Sequence, residues 1–538
     1  MNVAEQVGTA LARLGVAHAF GVVGSGNFVV TNALRAAGVP FTAARHEGGA
    51  ATMADAYART SGRPAVVTTH QGCGLTNALT GIAEAAKSRT PLLVLTGDTP
   101  GAAVTSNFRI DQDAAVTAVG AVAERVHTPA SAMADTVRAF RQATHDRRTV
   151  VLGLPLDVQA ADAVGSLPDV PEPPLPVRPH PDAVAALAAL VERARRPVFV
   201  AGRGARAAGP ELAELAETAG ALLATSAVAN GLFAGNPFAL GIAGGFATPL
   251  AAELIAGADL VVGWGAALNR WTTGHGRLLG PDATVVQVDL DPAALGVHRP
   301  VDLGVLGDVA LTARDLAALL GPRTGYRTGE VRERIAARGR WRDVPFTDAS
   351  TGDRIDPRAL NVRLDELLPA DRVVAVDSGN FMGYPSAYLG VPDQFGFCFT
   401  QAFQSIGLGL ATAIGAALAS PGRLPVAALG DGGALMSVAE LDTVVRLGLP
   451  MVIVVHNDDA YGAEVHHFTG QDHGAVRFPD TDLAAIGAGF GAASLTVRTL
   501  ADLDGVTAWL NGPRDRPLVV DAKVTDDGGA WWLADAFR

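Results

Sequence analysis

The chain has 538 residues, enough for about three ordinary domains, and 49% hydrophobic against 18% charged residues, so a large fraction of it can be buried. Its formal net charge of −12 argues against nucleic acid or an anionic membrane as the main partner. Two cysteines, Cys73 and Cys398, make no disulfide framework, no apolar run is long enough to span a bilayer, and the N-terminus lacks the basic start and apolar core of a signal peptide, so a soluble cytoplasmic protein is expected.

Residues 1–165 alternate helices with buried strands. Helices are expected near 3–14, 29–37, 47–60 and 75–87, with strands at AHAFGVV, PFTAA, PAVVTTH and PLLVLTG. Glu47 opens the third helix, where an acidic residue gains from the helix dipole, and that structural role competes with any chemical one. His70 ends the strand PAVVTTH, where a lone histidine is either structural or a proton carrier facing a ligand. The proline-rich stretch 166–181 reads as an extended linker.

A second α/β pattern spans 183–322 through PVFVAGRGA, DLVVGWGAAL and ATVVQVDLDP. Glycines follow its strands, but none completes a GxGxxG fingerprint. A charged stretch at 323–356 reads as a second linker, 357–525 as a third α/β region, and 526–538 as a tail. The pattern implies an α/β fold of three consecutive open parallel-sheet domains.

The most informative stretch is 426–461. Val426–Leu429 and Met451–Val455 suit strands buried on both faces of a parallel sheet. Between them, Ser437-Val-Ala-Glu440 matches a capping box, Leu441, Val444, Val445 and Leu447 supply an apolar helical face, and Gly448 stands where a C-cap glycine would. In such a β-α-β unit both strands end at one edge of the sheet, so Gly430-Asp431-Gly432-Gly433 and Asn457-Asp458 meet there. Asp431 and Asp458, helped by a backbone carbonyl, suit a hard cation such as Mg²⁺, and the N–H groups of the glycine turn suit phosphate oxygens. A tight turn followed by an Asx turn is the alternative for these residues.

Gly-Asp-Gly, then 24 residues (433–456), then Asn-Asp resembles the signature of thiamine diphosphate (ThDP) enzymes, with Asp458 in place of the usual second Asn. Phe20-Gly-Val-Val-Gly24, Arg45-His-Glu-Gly-Gly-Ala50, Gly74-Leu-Thr-Asn77, Asp377-Ser-Gly379 and Gly407-Leu-Gly-Leu-Ala-Thr-Ala-Ile-Gly415 match further landmarks in order. The whole is similar to the acetolactate synthase, benzoylformate decarboxylase and pyruvate decarboxylase group. The resemblance implies a pyrimidine-binding domain, a Rossmann-like middle domain and a diphosphate-binding domain. It assigns Mg²⁺ to Asp431, Asp458 and the Ala460 carbonyl.

By the same resemblance, Glu47 is the carboxylate on the pyrimidine ring, Ile406 the apolar prop beneath the bent cofactor, and Gly379 and Asn380 contacts of the diphosphate. Gln404 and Ser405 flank the pyrimidine, and Asn77, Gly430, Gly432 and Gly433 complete the cofactor contacts. His70 stands where benzoylformate decarboxylase carries a histidine, and Glu464 where pyruvate decarboxylase carries a proton-transferring glutamate. His466 and His467 either reach the site or are solvated. The adjacent histidine pair of pyruvate decarboxylase's first domain is absent.

Acetolactate synthases bind FAD in the middle domain. Here Gly202-Arg-Gly204 departs from their triple glycine, so FAD is a minority reading beside an empty, ADP-binding or coenzyme A-binding domain. The implied activity is ThDP- and Mg²⁺-dependent decarboxylation or carboligation of a 2-oxo acid or other carbonyl substrate through an ylid and enamine. A ThDP-dependent lyase or hydrolase of a 2-hydroxyacyl-CoA or diketone, and a catalytically silent binding homologue, are the alternatives. In the family the two halves of each site come from different subunits, which implies a homodimer or a dimer of dimers.

Overall fold

The computed structural model describes residues 1–167, 169–170, 172–526, 528 and 530–533. The tail expected over 526–538 therefore lies partly outside the described residues. The first sheet contains β1 (His18–Gly21), β2 (Phe41–Ala43), β3 (Ala65–Thr69), β4 (Leu92–Asp98), β5 (Val122–Arg125) and β6 (Thr149–Pro155), in the order β2-β1-β3-β4-β6-β5. The middle sheet contains β7 (Pro197–Ala201), β8 (Leu222–Thr225), β9 (Ala239–Ile242), β10 (Leu260–Trp264), β11 (Thr284–Asp289) and β12 (Leu303–Leu306), in the order β12-β11-β10-β7-β8-β9. The third contains β13 (Arg372–Val376), β14 (Phe397–Phe399), β15 (Leu424–Gly430), β16 (Val452–Asn457), β17 (Ala493–Val497) and β18 (Leu518–Lys523), in the order β14-β13-β15-β16-β18-β17.

Every pairing between these strands is parallel, as expected for strands apolar on both faces and joined by helices. The first and third sheets share one strand order. In each, the first strand lies between the second and third, so the order reverses there and opens a crevice at the carboxyl ends. In the first sheet that crevice lies between β1 and β3, and in the third between β13 and β15. Among the described residues no helix is long and apolar enough to cross a membrane.

The first and third sheets meet through two small-residue helices, Glu47–Ser61 and Gly409–Ala419, whose buried Ala50, Ala51, Ala54, Ala411 and Ala413 belong to one core. Small side chains let the helix axes approach closely. A Cβ on Gly415 would stand 2.1 Å from the Met53 carbonyl oxygen, so this contact requires glycine. Next to it, Arg59 bonds the Phe399 carbonyl across the junction, and Arg206 from the middle domain bonds the carbonyls of Arg59 and Gln394.

Two local expectations are corrected. The charged stretch 323–356 is not merely a linker: Gly329–Arg338 is a helix that packs Val331 and Ile335 into the core of the middle domain, and Trp341 Nε1 donates to the Phe246 carbonyl at 2.7 Å. Its many charges lie on the outer face, and two apolar anchors four residues apart are a faint periodic signal. The Ser437–Glu440 capping box does not form either. The segment after β15 is two short helices, Asp431–Met436 and Glu440–Arg446, and Ser437 Oγ donates to the Gly433 carbonyl at the end of the first. Gly448 does end the second helix, with φ +61.

Candidate active site

β15 delivers Asp431 as the first residue of the Asp431–Met436 helix, and β16, paired with β15 so that His456 faces Gly430, delivers Asn457 and Asp458 beside it. Asn457 is fully buried and shapes the turn. Its side-chain nitrogen donates to Asp521, and its oxygen accepts from the Asp459 N–H at 3.2 Å. Asp459 has φ +55 and pairs with Arg354. Ala460 is buried at the far end of this turn.

Burial pushes the Asp431 carboxyl up to about 6, and the Asp459 charge adds to the effect. Burial together with the Asp431 charge pushes Asp458 up to about 7. The two acids therefore share one negative pocket. A Cβ on Gly462 would stand 2.4 Å from Asp458 Oδ2 and 3.2 Å from Asn380 Cβ, so Asp458 and Asn380 face each other across a glycine. Asn380 follows β13, and its Oδ1 is buried with no hydrogen-bond partner. A buried and a half-buried carboxylate, with an orphaned amide oxygen, at the ends of adjacent parallel strands fit a hard divalent cation and a polar ligand. Among the described residues no group of three or more His, Cys, Asp or Glu could hold a metal, so the candidate centre rests on these two acids and a backbone carbonyl.

The other expected cofactor residues of the third sheet lie at or after the ends of β13, β14 and β15. Gly379 has φ +139, which turns the chain out of β13 towards Asn380. A Cβ on Gly432 would stand 2.4 Å from the Tyr461 ring, one on Gly433 2.3 Å from Asp377 Oδ2, and one on Gly430 3.1 Å from the Phe381 ring. Asp377, fully buried, accepts the N–H groups of Ser378, Gly407 and Leu408 at 2.8–3.1 Å and so fixes the loop carrying Ile406. Gln404 is exposed at φ +63, Ser405 Oγ donates to the Ile406 carbonyl, and Ile406 is partly exposed, so this loop presents side chains outward from the sheet edge. In the sequence, the signal for this role of Asp377 is its place at a strand end, two residues before a glycine.

On the first sheet, Glu47 begins its helix after β2, and His46 caps that helix by accepting the Gly48 N–H at 3.0 Å. Asn77 Nδ2 donates to Glu47 Oε2 at 3.1 Å. A Cβ on Gly74 would stand 3.4 Å from Glu47 Oε1 and 3.2 Å from His70 Cβ, so Gly74 brings Glu47 and His70 onto one face. His70 Nδ1 lies 2.9 Å from the Gln71 carbonyl, which can only accept; in the neutral ring Nε2 is then the acceptor, 3.3 Å from Ser25 Oγ. The ring packs edge-on against Phe108 at 4.9 Å.

The expected residues thus form two clusters, one per sheet. Among the described residues no hydrogen bond or ion pair joins Glu47, His70 or Asn77 to Asp431, Asp458 or Asn380. Glu464 is exposed on the helix Gly462–His467, near neither Glu47 nor His70 by any bond. His466 Nε2 lies 3.6 Å from Asp526, and His467 reaches the carbonyls of Ala463 and Leu533. The middle-domain glycines serve packing between loops: a Cβ on Gly202 would stand 2.3 Å from the Gly265 carbonyl, and one on Gly244 2.1 Å from that of Trp271.

Three family models match the chain: thiamine pyrophosphate enzyme N-terminal TPP binding domain at 1–121, central domain at 184–316, and C-terminal TPP binding domain at 377–522. The chain is also 31% identical over 470 residues to the acetolactate synthase large subunit of Parasynechococcus marenigrum, covering 84% of this chain and 75% of that protein. The chain belongs to the thiamine pyrophosphate enzyme family. The match to a sulfoacetaldehyde acetyltransferase of Rhodobacter capsulatus is 30% over 500 residues, 87% of this chain and 84% of that protein. A probable 2-ketoarginine decarboxylase of Pseudomonas aeruginosa is 30% identical over 509 residues, 92% of this chain and 88% of that protein. The two thiamine pyrophosphate (thiamine diphosphate) binding models take in β1–β4 of the first sheet with Glu47, His70 and Asn77, and β14–β17 of the third with Asn380, Asp431 and Asp458.

Proposed function

We propose that this thiamine pyrophosphate enzyme uses ThDP with Mg²⁺ to decarboxylate a 2-oxo acid and passes the product to a proton or a second carbonyl compound. The observation that carries the reading is the pair of acids, buried Asp431 and half-buried Asp458, brought together after β15 and β16 with Asn380 and its orphaned oxygen after β13. In it, Asp431, Asp458 and the Ala460 carbonyl hold Mg²⁺, while Gly379, Asn380 and the turn at Gly430–Gly433 hold the diphosphate. Bound there, ThDP would supply a nucleophilic ring carbon and, in its cationic ring, a sink for the electron pair of a broken carbon–carbon bond.

The chain's own residues would do the rest. Glu47, held by Asn77, positions and exchanges a proton with the pyrimidine ring. His70, whose Nε2 accepts from Ser25 Oγ, and Glu464 carry protons on the substrate side. Ile406 supports the cofactor from the loop tied to Asp377. The relatives' names, acetolactate synthase, acetyltransferase and decarboxylase, support chemistry beside a carbonyl group and leave the acceptor open.

The separation of the two clusters within one chain supports a homodimer, in which Glu47 of one chain meets the Asp431 centre of the other. Exposed apolar residues beside each cluster, Phe28 and Phe108 on the first sheet, Phe403 and Met436 on the third, support a partner surface there. The test is a screen of 2-oxo acids with ThDP and Mg²⁺, reading carbon dioxide release and then products with and without an added aldehyde. Release of carbon dioxide that depends on both additions bears the reading out. Turnover of a 2-hydroxyacyl-CoA or diketone with none of any 2-oxo acid would replace it.

A further inference from the structure

We propose that Glu440 is a positioning residue for Glu47, and that Glu84 positions the Gln404–Ile406 loop in the same manner from the opposite sheet. This rests on the reading of Glu47 and Ile406 as parts of the cofactor site. Glu440 is 2% exposed and lies on the helix between β15 and β16. Its Oε1 accepts the N–H groups of Arg45 at 3.1 Å and His46 at 3.0 Å, the two residues before Glu47, and its Oε2 accepts Thr443 Oγ1 at 2.6 Å. A Cβ on Gly49 would stand 2.5 Å from Oε1, so the first turn of the Glu47 helix keeps a socket open for this carboxylate.

Glu84 mirrors this arrangement. It is fully buried on the helix between β3 and β4, and it accepts the N–H groups of Phe403 at 2.7 Å and Ala402 at 3.2 Å, just before Gln404. The two sheets share a strand order, so both carboxylates sit on the crossover from the third strand to the fourth. Each grips the segment that follows the second strand of the other sheet. Burial raises the Glu84 carboxyl, but the charge and hydrogen bond of Arg59 with the two N–H groups outweigh that and hold it below its ordinary value. Glu440 has no such cation bonded to it among the described residues; its charge is matched by N–H groups and the positive end of the Glu47 helix.

The consequence is directional. Arg45 and His46 lie immediately before the helix, outside its hydrogen-bond ladder, and their N–H groups would otherwise leave the Glu47 turn free to shift. A charged acceptor fixes that turn more firmly than a neutral one, so removing the charge should loosen Glu47 without emptying the metal centre.

Backbone amide exchange read by mass spectrometry on the full chain without added cofactor tests this, comparing wild type with Glu440→Gln, Gly49→Ala and Glu84→Gln. Glu440→Gln and Gly49→Ala should each speed exchange across residues 41–50 about tenfold, the ratio that one charge-assisted hydrogen bond corresponds to, and leave 399–407 unchanged. Glu84→Gln should do the converse. With ThDP, Mg²⁺ and a 2-oxo acid that the enzyme turns over, kcat of Glu440→Gln should fall about tenfold at unchanged KM and ThDP affinity. Wild-type exchange across 41–50 in both Glu440→Gln and Gly49→Ala overturns the clamp. Faster exchange with unchanged kcat makes Glu440 structural and overturns its positioning role, and exchange accelerated over the whole chain in Glu84→Gln overturns the second half. Failure of the site reading is visible separately, as full turnover by Glu47→Gln while exchange still reports on Glu440.

Discussion

Asn77 aims Glu47: its Nδ2 donates to Glu47 Oε2 at 3.1 Å from the neighbouring helix, beside a glycine that leaves the other oxygen uncrowded. Glu47→Gln keeps the shape of the side chain and removes its proton chemistry, so it should retain ThDP yet lose at least about a hundredfold in turnover. Asn77→Ala should lose about tenfold, since it removes orientation alone. Steady-state rates at saturating ThDP, with calorimetry to show that the cofactor is bound, check both.

Asp431 and Asp458 oppose each other electrostatically without a cation. Asp431→Asn and Asp458→Asn should therefore each raise the unfolding free energy of the metal-free chain by about 1 kcal/mol or more. Both should abolish the stabilisation that Mg²⁺ with ThDP confers on wild type. Thermal unfolding with and without the two ligands measures the two effects. An unchanged ligand-induced shift in either variant would remove that residue from the metal centre.

The meeting of Asp431 and Asp458 is legible in the sequence because parallel-sheet topology leaves little freedom: two strands joined by a crossover must end side by side, and acids placed there must meet. Asp431 and Asp458 followed from that rule and from family likeness. Glu440 did not, because Ser437 three residues before it imitates a local capping box, whereas its actual partners, Arg45 and His46, lie 395 and 394 residues away. No periodicity reports such a partner. The helix in 323–356 was missed for a related reason, since Val331 and Ile335 are its sole deeply buried apolar anchors. Glu464 was placed by likeness alone, and its exposure makes its role depend on what covers that helix.

His18 gives a pH prediction. It lies on β1, 9% exposed, bonded to Thr42 Oγ1 at 2.8 Å and stacked on Phe20 at 4.5 Å, and burial lowers its pKa from 6.5 to about 4. The unfolded chain takes up a proton at this residue from pH 6.5 downward, while the folded chain resists until about 4. The stability it contributes is thus complete above pH 6.5 and is lost as pH falls to 4, by an amount on the order of 3 kcal/mol. His18→Gln should flatten the fall in stability between pH 6.5 and 4, as measured by urea unfolding across that range.

Gly415→Ala should destabilise the junction of the first and third sheets. The added Cβ would stand 2.1 Å from the Met53 carbonyl oxygen and 3.0 Å from Ala56 Cβ, so the helices Glu47–Ser61 and Gly409–Ala419 must separate. Alanine is the better helix former by about 1 kcal/mol, so a net loss of about 1–3 kcal/mol would isolate the packing effect. The same shift would move Glu47 and Ile406, and turnover should fall with stability. A variant as stable as wild type would show that the two helices can part without strain.

The two clusters belong to different sheets, and no hydrogen bond or ion pair joins them within one described chain, although a single cofactor would have to touch both. If each site takes its first-sheet half from one chain and its third-sheet half from another, inactive variants should complement each other. Glu47→Gln spoils one half and Asp431→Ala the other. A mixed dimer then contains one doubly damaged site and one made of Asp431 from the Glu47→Gln chain and Glu47 from the Asp431→Ala chain. At equal mixing half of the dimers are mixed, each with one intact site out of two, so recovery should approach a quarter of wild-type activity after full subunit exchange. Exchange itself is followed by native mass spectrometry of differently labelled chains. Proven exchange without recovered activity, or a fully active monomer in light scattering, would place both halves of the site in one chain.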